Sequence, residues 1–176
     1  MVTLSNKVLE KAFDKKIIPN ITCLGVDTAS RTGWCKATTT KKEVVFDYGF
    51  IDVKSNNKYF KYNRYIKLFS NIVKTDKLII EESFYGRNVK TFQMLSRLGG
   101  FIYAIAHLNG QKDKEFLLAT TARKQLGFKG NLKKQLIHQQ FLKTLKLKLD
   151  DEDVIDAMVL AINGILDHEN TISLPI

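Results

Sequence analysis

The sequence predicts an α/β fold, a mixed five-stranded sheet with helices on both faces. Three observations lead there. Ile21-Thr22-Cys23-Leu24-Gly25-Val26-Asp27 and Lys77-Leu78-Ile79-Ile80-Glu81 are short, mostly apolar runs without polar alternation, the pattern of central strands buried on both sides. Around them, apolar residues recur at helical spacing through longer segments. The order of elements, a three-strand meander followed by alternating helices and strands, then requires antiparallel and parallel pairing in one sheet.

Leu4, Val8, Leu9 and Phe13 recur at helical spacing before the break at Ile17-Ile18-Pro19. Residues 1–19 therefore read as an N-terminal helical extension and residues 20–176 as the domain proper. Strands are expected at residues 21–27, 33–38 and 43–53, the third alternating through Val44, Phe46, Tyr48 and Phe50, and short turns make the three an antiparallel meander. Tyr59, Tyr62, Ile66, Phe69 and Val73 mark a helix over residues 58–73, and a fourth strand covers residues 78–81. Val89, Phe92, Met94, Leu95, Leu98, Ile102 and Ile105 describe a second long helix that stops near Asn109-Gly110. A fifth strand at residues 115–119 and a short helix at 121–126 lead through Gly127-Phe128-Lys129-Gly130 to Asn131, an N-cap for a helix reaching residue 145. Asp150, Asp151 and Glu152 open the last helix, which runs to about residue 166.

Asp27 and Glu81 end the two buried runs, where an ionised carboxylate is costly unless something cationic meets it. With the fourth strand parallel to the first and beside it, both emerge at the carboxyl edge of the sheet, where open α/β folds place ligands. Asp153 and Asp156 lie three apart on one side of the last helix, next to the stripe of Ile155, Met158, Val159, Ile162 and Leu166. Three segments thus each deliver acid to one place. Four oxygen ligands suit Mg²⁺ or Mn²⁺ rather than zinc. Two such ions about 4 Å apart can activate a water and stabilise the leaving oxygen of a phosphodiester. Each acid has a plainer reading by itself: Asp27 as a turn residue, Asp153 and Asp156 as ordinary first-turn acids. Glu82 should point away from Glu81 by strand alternation. The conjunction is what points to a metal site.

With 28 Lys and Arg against 18 Asp and Glu, the 176-residue chain carries a net charge of +10, and clustered cations bind phosphate backbones without regard to sequence. Nucleic acid is therefore the expected partner, rather than a membrane or a small-molecule substrate. Cys23 and Cys35 lack CxxC or Cys/His spacing and read as buried thiols of a reducing, intracellular compartment with access to DNA. No apolar run approaches the roughly 18 residues of a membrane span, and Glu10 and Asp14 interrupt the start, so a soluble, non-secreted protein is expected.

Leu24-Gly25-Val26-Asp27 followed by Ser30-Arg31-Thr32-Gly33, then Ile80-Glu81-Glu82-Ser83-Phe84, then Asp153-Val154-Ile155-Asp156-Ala157, resembles the RuvC-type Holliday-junction resolvases in order and spacing over about residues 21–166. The likeness includes Gly130-Asn131-Leu132-Lys133-Lys134, a Gly-rich turn running into a basic helix start. Asp27-Thr28-Ala29 departs from the Asp-Pro-Gly frequent in that family, and residues 1–19 are an addition to it; viral and bacteriophage members vary in these ways. The resemblance implies an RNase H-like fold and a homodimer that nicks two opposed strands of a four-way junction. It also implies a Mg²⁺ or Mn²⁺ site held by Asp27, Glu81, Asp153 and Asp156. Lys134 matches the family's basic position better than Lys133 as the group that approaches the scissile phosphate.

Arg87, Lys90, Arg123, Lys124, Lys129 and Lys133 are further backbone-contact candidates. Phe84, in a polar Gly-containing stretch after the second acid, either wedges among unstacked bases, as the resemblance implies, or packs on the following helix. His138 lies near the basic helix start as a phosphate contact or a structural residue; His107 and His168 have no metal-site spacing. In Tyr59-Phe60-Lys61-Tyr62, helical phase assigns Tyr59 and Tyr62 to the core rather than to a stacking platform. These readings converge on a metal-dependent, structure-selective DNA endonuclease that resolves Holliday junctions and related branched DNA, using two Mg²⁺ per site and leaving 5′-phosphate nicks. The rivals are a ribonuclease H-type nuclease on RNA/DNA hybrids, which would require ribose 2′-hydroxyls, and a non-catalytic branched-DNA binding protein.

Overall fold

The structure is a computed structural model that describes residues 1–171 except Ser30, Val53, Ser55, Asn56, Gly86, Arg87, Gly130 and Asn131, with backbone alone at Lys58, Tyr59, Lys61, Asn170 and Thr171. Its elements are β1 (Val2–Ser5), α1 (Asn6–Phe13), β2 (Lys15–Ile17), β3 (Thr22–Asp27), β4 (Thr32–Thr39), β5 (Glu43–Ile51) and α2 (Lys58–Ile72). Then come β6 (Lys77–Glu81), α3 (Val89–Leu108), β7 (Asp113–Leu117), α4 (Ala119–Gln125), α5 (Lys134–Leu145), α6 (Glu152–Ile165) and β8 (Leu166–Thr171). The main sheet has the order β1-β5-β4-β3-β6-β7. The meander β3-β4-β5 is antiparallel, and β6 and β7 join it in parallel beside β3, as expected of a mixed sheet.

Period-two alternation sends neighbouring residues of the central strands to opposite cores. Cys23, Cys35, Ala37 and Ile79 pack with α1, α4, α5 and α6, whereas Leu24, Val26, Leu78 and Ile80 pack with α2 and α3. Asp27 and Glu81 continue the phase of Cys23 and Ile79, so both project on the α6 side. Helix α6 is buried over nearly its whole length because it lies directly on β3 and β4. Two glycines allow that approach: a Cβ at Gly25 would run into the Ala157 carbonyl, and one at Gly33 into the Asp153 carbonyl. The close contact sets the acids of α6 against the carboxyl end of β3.

Among the described residues the main sheet has six strands rather than five. The sixth is β1, formed by residues expected in a helix: Leu4 pairs with Val44, closing an edge of β5 that would otherwise leave backbone groups unpaired. Only residues 6–13 of the N-terminal segment are helical, with Leu9 and Phe13 buried and the Phe13 ring 6.3 Å from that of Phe141. β2 pairs antiparallel with β8, a strand beyond the end of the last expected helix. Helix α2 is rotated from its expected phase. Tyr65, Phe69 and Val73 are buried, while Ile66 is exposed and Tyr62 sits at the rim, edge-on to Phe101 at 4.8 Å; the Tyr59 side chain lies outside the described residues. The first half of α3 likewise leaves Val89 and Met94 exposed. β7 begins two residues earlier than expected, because Lys77 pairs with Asp113 and the Lys77 ammonium meets Glu115 at 3.0 Å. Helix α5 starts at Lys134 with Lys133 in the cap position; the expected cap, Asn131, is outside the described residues. Among the described residues no helix is long and apolar enough to cross a membrane.

Candidate active site

Val26 and Ile80 are partners in the parallel ladder of β3 and β6, and the next residue of each strand is an acid. The Asp27 and Glu81 side chains hydrogen-bond to each other, and Thr28 Oγ1 donates to the Glu81 carbonyl at 3.3 Å, tying the strand ends together. Burial, then the charges of Glu81 and Asp156, push the Asp27 carboxyl up to about 9; burial also raises that of Glu81. Both shifts favour retention of a proton by the pair when no cation is bound. Glu82 is exposed, as alternation required, and its backbone N–H donates to the Leu117 carbonyl.

At the start of α6, Asp151 accepts from the Val154 N–H at 3.2 Å and pairs with Arg31, whose guanidinium lies 3.6 Å above the centre of the Phe50 ring. The loop after β3 is thereby fastened to the helix that carries the other two acids. Asp153 is half-buried and its carboxyl is raised by burial, against the lowering fields of Arg31 and Lys134. Asp156 is almost fully buried. Burial opposes its charge, yet hydrogen bonds with His138, Lys134 and Arg123 hold its carboxyl well below the usual range. Arg123 Nη2 donates to Oδ1 at 2.8 Å, His138 Nε2 stands 2.9 Å from the same oxygen, and Lys134 Nζ meets Oδ2 at 2.6 Å.

This geometry turns Arg123 away from its expected place and decides between the two readings of His138. Arg123, expected on a DNA backbone, is mostly enclosed and committed to Asp156, because α4 packs against α6 and turns it inward. His138 is buried on the same carboxylate, which is the structural one of its two readings. The sequence carried a signal for it: His138 follows Lys134 by four residues, one turn along the same face of α5, between the buried Ile137 and Phe141. Lys134 is at the acids as expected, whereas Lys90, Lys124, Lys129 and Lys133 are exposed and touch none of the four; Arg87 lies outside the described residues. Phe84 is 79 % exposed and does not pack on α3. Its neighbour Tyr85, which no sequence motif marks, is also exposed and stands edge-on to Phe92 at 5.5 Å.

The donor set suits a hard divalent cation: carboxylate oxygens from Asp27, Glu81 and Asp156, with the charge of Asp156 raising the affinity of Asp27 and Glu81 for a proton. Among the described residues no three such groups form a ready-made metal cage, since both oxygens of Asp156 face cationic or imidazole donors.

Residues 23–164 match the family model of the crossover junction endodeoxyribonuclease RuvC. The chain belongs to the RuvC family. It is accordingly an endodeoxyribonuclease, and β1, α1 and β2 precede the matched span. The structure of Thermus thermophilus RuvC is similar at a TM-score of 0.68 and 13 % identity, over 83 % of this chain and 98 % of that one. T. thermophilus RuvC in complex with a Holliday junction substrate gives 0.65 at 13 % identity over the same shares. The yeast mitochondrial Holliday junction resolvase Ydc2 gives 0.59 at 12 % identity, over 90 % of this chain and 83 % of that one. At such identities the likeness is one of fold, and it agrees with the RNase H-like architecture expected from the sequence. No curated protein matches the sequence.

Proposed function

We propose that this RuvC-family nuclease resolves four-way DNA junctions as a homodimer, by divalent-metal-dependent paired nicks that leave 5′-phosphate ends. The observation that carries the reading is the convergence of Asp27, Glu81 and Asp156 at the carboxyl edge of the sheet, with Asp153 one turn away and Lys134 among them. Asp27, Glu81, Asp153 and Asp156 would hold two Mg²⁺, with Mn²⁺ able to substitute. The metal would supply activation of the attacking water and stabilisation of the departing 3′ oxygen. Arg123 and His138 fix the orientation of Asp156, and the Arg31 to Asp151 pair fixes the start of its helix. Lys134 offers an ammonium for the scissile phosphate. Phe84, three residues after Glu81, presents an uncovered ring suited to stacking on a base at an opened crossover. The exposed Val89 and Met94 on α3 support an apolar contact between two copies.

Incubation of an immobile four-way junction with the purified chain and Mg²⁺ or Mn²⁺, with nicks mapped on all four strands, tests this. Symmetric nicks in one pair of opposed strands are expected. Cleavage confined to RNA/DNA hybrids would favour the ribonuclease H alternative, and junction binding without cutting the non-catalytic one.

A further inference from the structure

The two oxygens of Asp156 have partners of different kinds. Oδ1 is held by Arg123 Nη2 at 2.8 Å and His138 Nε2 at 2.9 Å, from side chains only 15 % and 6 % exposed. Oδ2 is met by Lys134 Nζ at 2.6 Å, from a side chain 41 % exposed at the first position of α5, which also reaches toward Glu152 at 3.8 Å. Arg123 and His138 are walled in. Lys134 sits on a flexible stem open to solvent, and it has a second acid to move to. Its ammonium also acts on Asp27, Glu81 and Asp153, so a single positive charge serves all four acids.

We propose that Lys134 is the resident counter-cation of the acid site. Arg123 and His138 anchor Oδ1 of Asp156, and Lys134 occupies Oδ2 in direct competition with a divalent cation. The inference rests on the metal-dependent reading above. A hard cation bonds carboxylate oxygen at about 2.0–2.1 Å, and an ammonium cannot remain on the same oxygen beside it without strong repulsion. Filling the site with metal therefore releases Lys134 toward Glu152 and solvent, where it is free to meet a DNA phosphate. Metal loading and presentation of the catalytic lysine become one event.

The test is a Mn²⁺ titration of the full chain without DNA, read by the electron paramagnetic resonance of free Mn²⁺, for the wild type, Lys134→Ala, Lys134→Arg and Asp156→Asn. Lys134→Ala should bind Mn²⁺ at least about tenfold more tightly, the scale of one charge-assisted hydrogen bond no longer in competition. The gain should persist in about 1 M NaCl, where the Debye length of about 3 Å screens remote charges but not a direct contact. Lys134→Arg should bind no more tightly than the wild type. If Lys134→Ala does not fold without metal, Lys134→Gln, which keeps a neutral donor for Oδ2, takes its place with the same expectation. Unchanged or weaker affinity in the folded variant, or a gain that vanishes at high salt, overturns the role of Lys134. Failure of both the wild type and Lys134→Ala to bind Mn²⁺ overturns the metal-dependent reading along with it. Binding that Asp156→Asn abolishes and Lys134→Ala leaves unimproved overturns the lysine role alone.

Discussion

Substitution of Gly33 by alanine should damage catalysis through the backbone of α6. A Cβ on Gly33 would stand 2.1 Å from the Asp153 carbonyl oxygen, where real contacts do not fall below 3.0 Å, so helix and strand must separate by about 1 Å. The obstacle is backbone, and it cannot rotate away. Overpacking of this kind costs about 1–3 kcal/mol, against the roughly 0.5–1 kcal/mol that replacing a strand glycine returns in chain entropy. The clash wins. In a chain of this size each kcal/mol lowers the melting temperature by about 2–4 °C, so a fall of several degrees is expected. The shift also carries Asp153 away from Asp27 and Glu81, and a 1 Å misplacement of catalytic groups can cost about a hundredfold in rate. Single-turnover cleavage of a four-way junction, gel-shift affinity and thermal melting on the same preparation measure all three effects; affinity should change least, because the exposed lysines lie elsewhere. Gly100→Ala, in α3 with open space around the new methyl, is the control and should melt no lower than the wild type. A Gly33→Ala protein with full rate and unchanged melting would refute the argument that this close approach positions the acids.

Asp27→Asn, Glu81→Gln, Asp153→Asn and Asp156→Asn should each lower single-turnover cleavage by at least about a hundredfold while junction affinity holds or improves, since each change removes negative charge from a phosphate-binding protein; near-normal cutting by two of them would end the metal-site assignment. In metal-free protein the raised Asp27 carboxyl keeps a proton that the unfolded chain releases near its ordinary value of 3.8. The stability it contributes is full below about pH 4 and is lost as pH rises toward about 9, so melting in a chelator should fall across that window and Asp27→Asn should flatten the slope. An unchanged slope in that variant would exclude the Asp27 and Glu81 pair as its source. Phe84→Ala removes an uncovered ring, so folding stability should change by no more than about 0.5 kcal/mol. Cleavage of intact junctions should fall more than cleavage of junctions with an unpaired gap at the crossover; equal losses on both substrates would refute the wedge.

The central strands, and the placement of Asp27 and Glu81 at their ends, were legible in the sequence because their signals are local. An apolar run ending in an acid, such as Leu24-Gly25-Val26-Asp27 or Leu78-Ile79-Ile80-Glu81, encodes both the strand and the place where its carboxylate leaves the core. Helix α6 was legible for the same reason, through its stripe and its acidic start. Other features depend on partners far along the chain, and only the tertiary structure decided them. Leu4 fits a helix or a strand equally well until the open edge of β5 claims it. Tyr62, Tyr65, Ile66 and Phe69 allow two helical phases, and packing against β3, β6 and α3 selects the one that buries Tyr65 and Phe69. Arg123 carries no mark in the sequence that separates it from a surface cation, and His138 carries only its spacing from Lys134 along α5. What assigns them to the site is Asp156, 33 and 18 residues away, a buried charge that must be met by donors wherever folding places it.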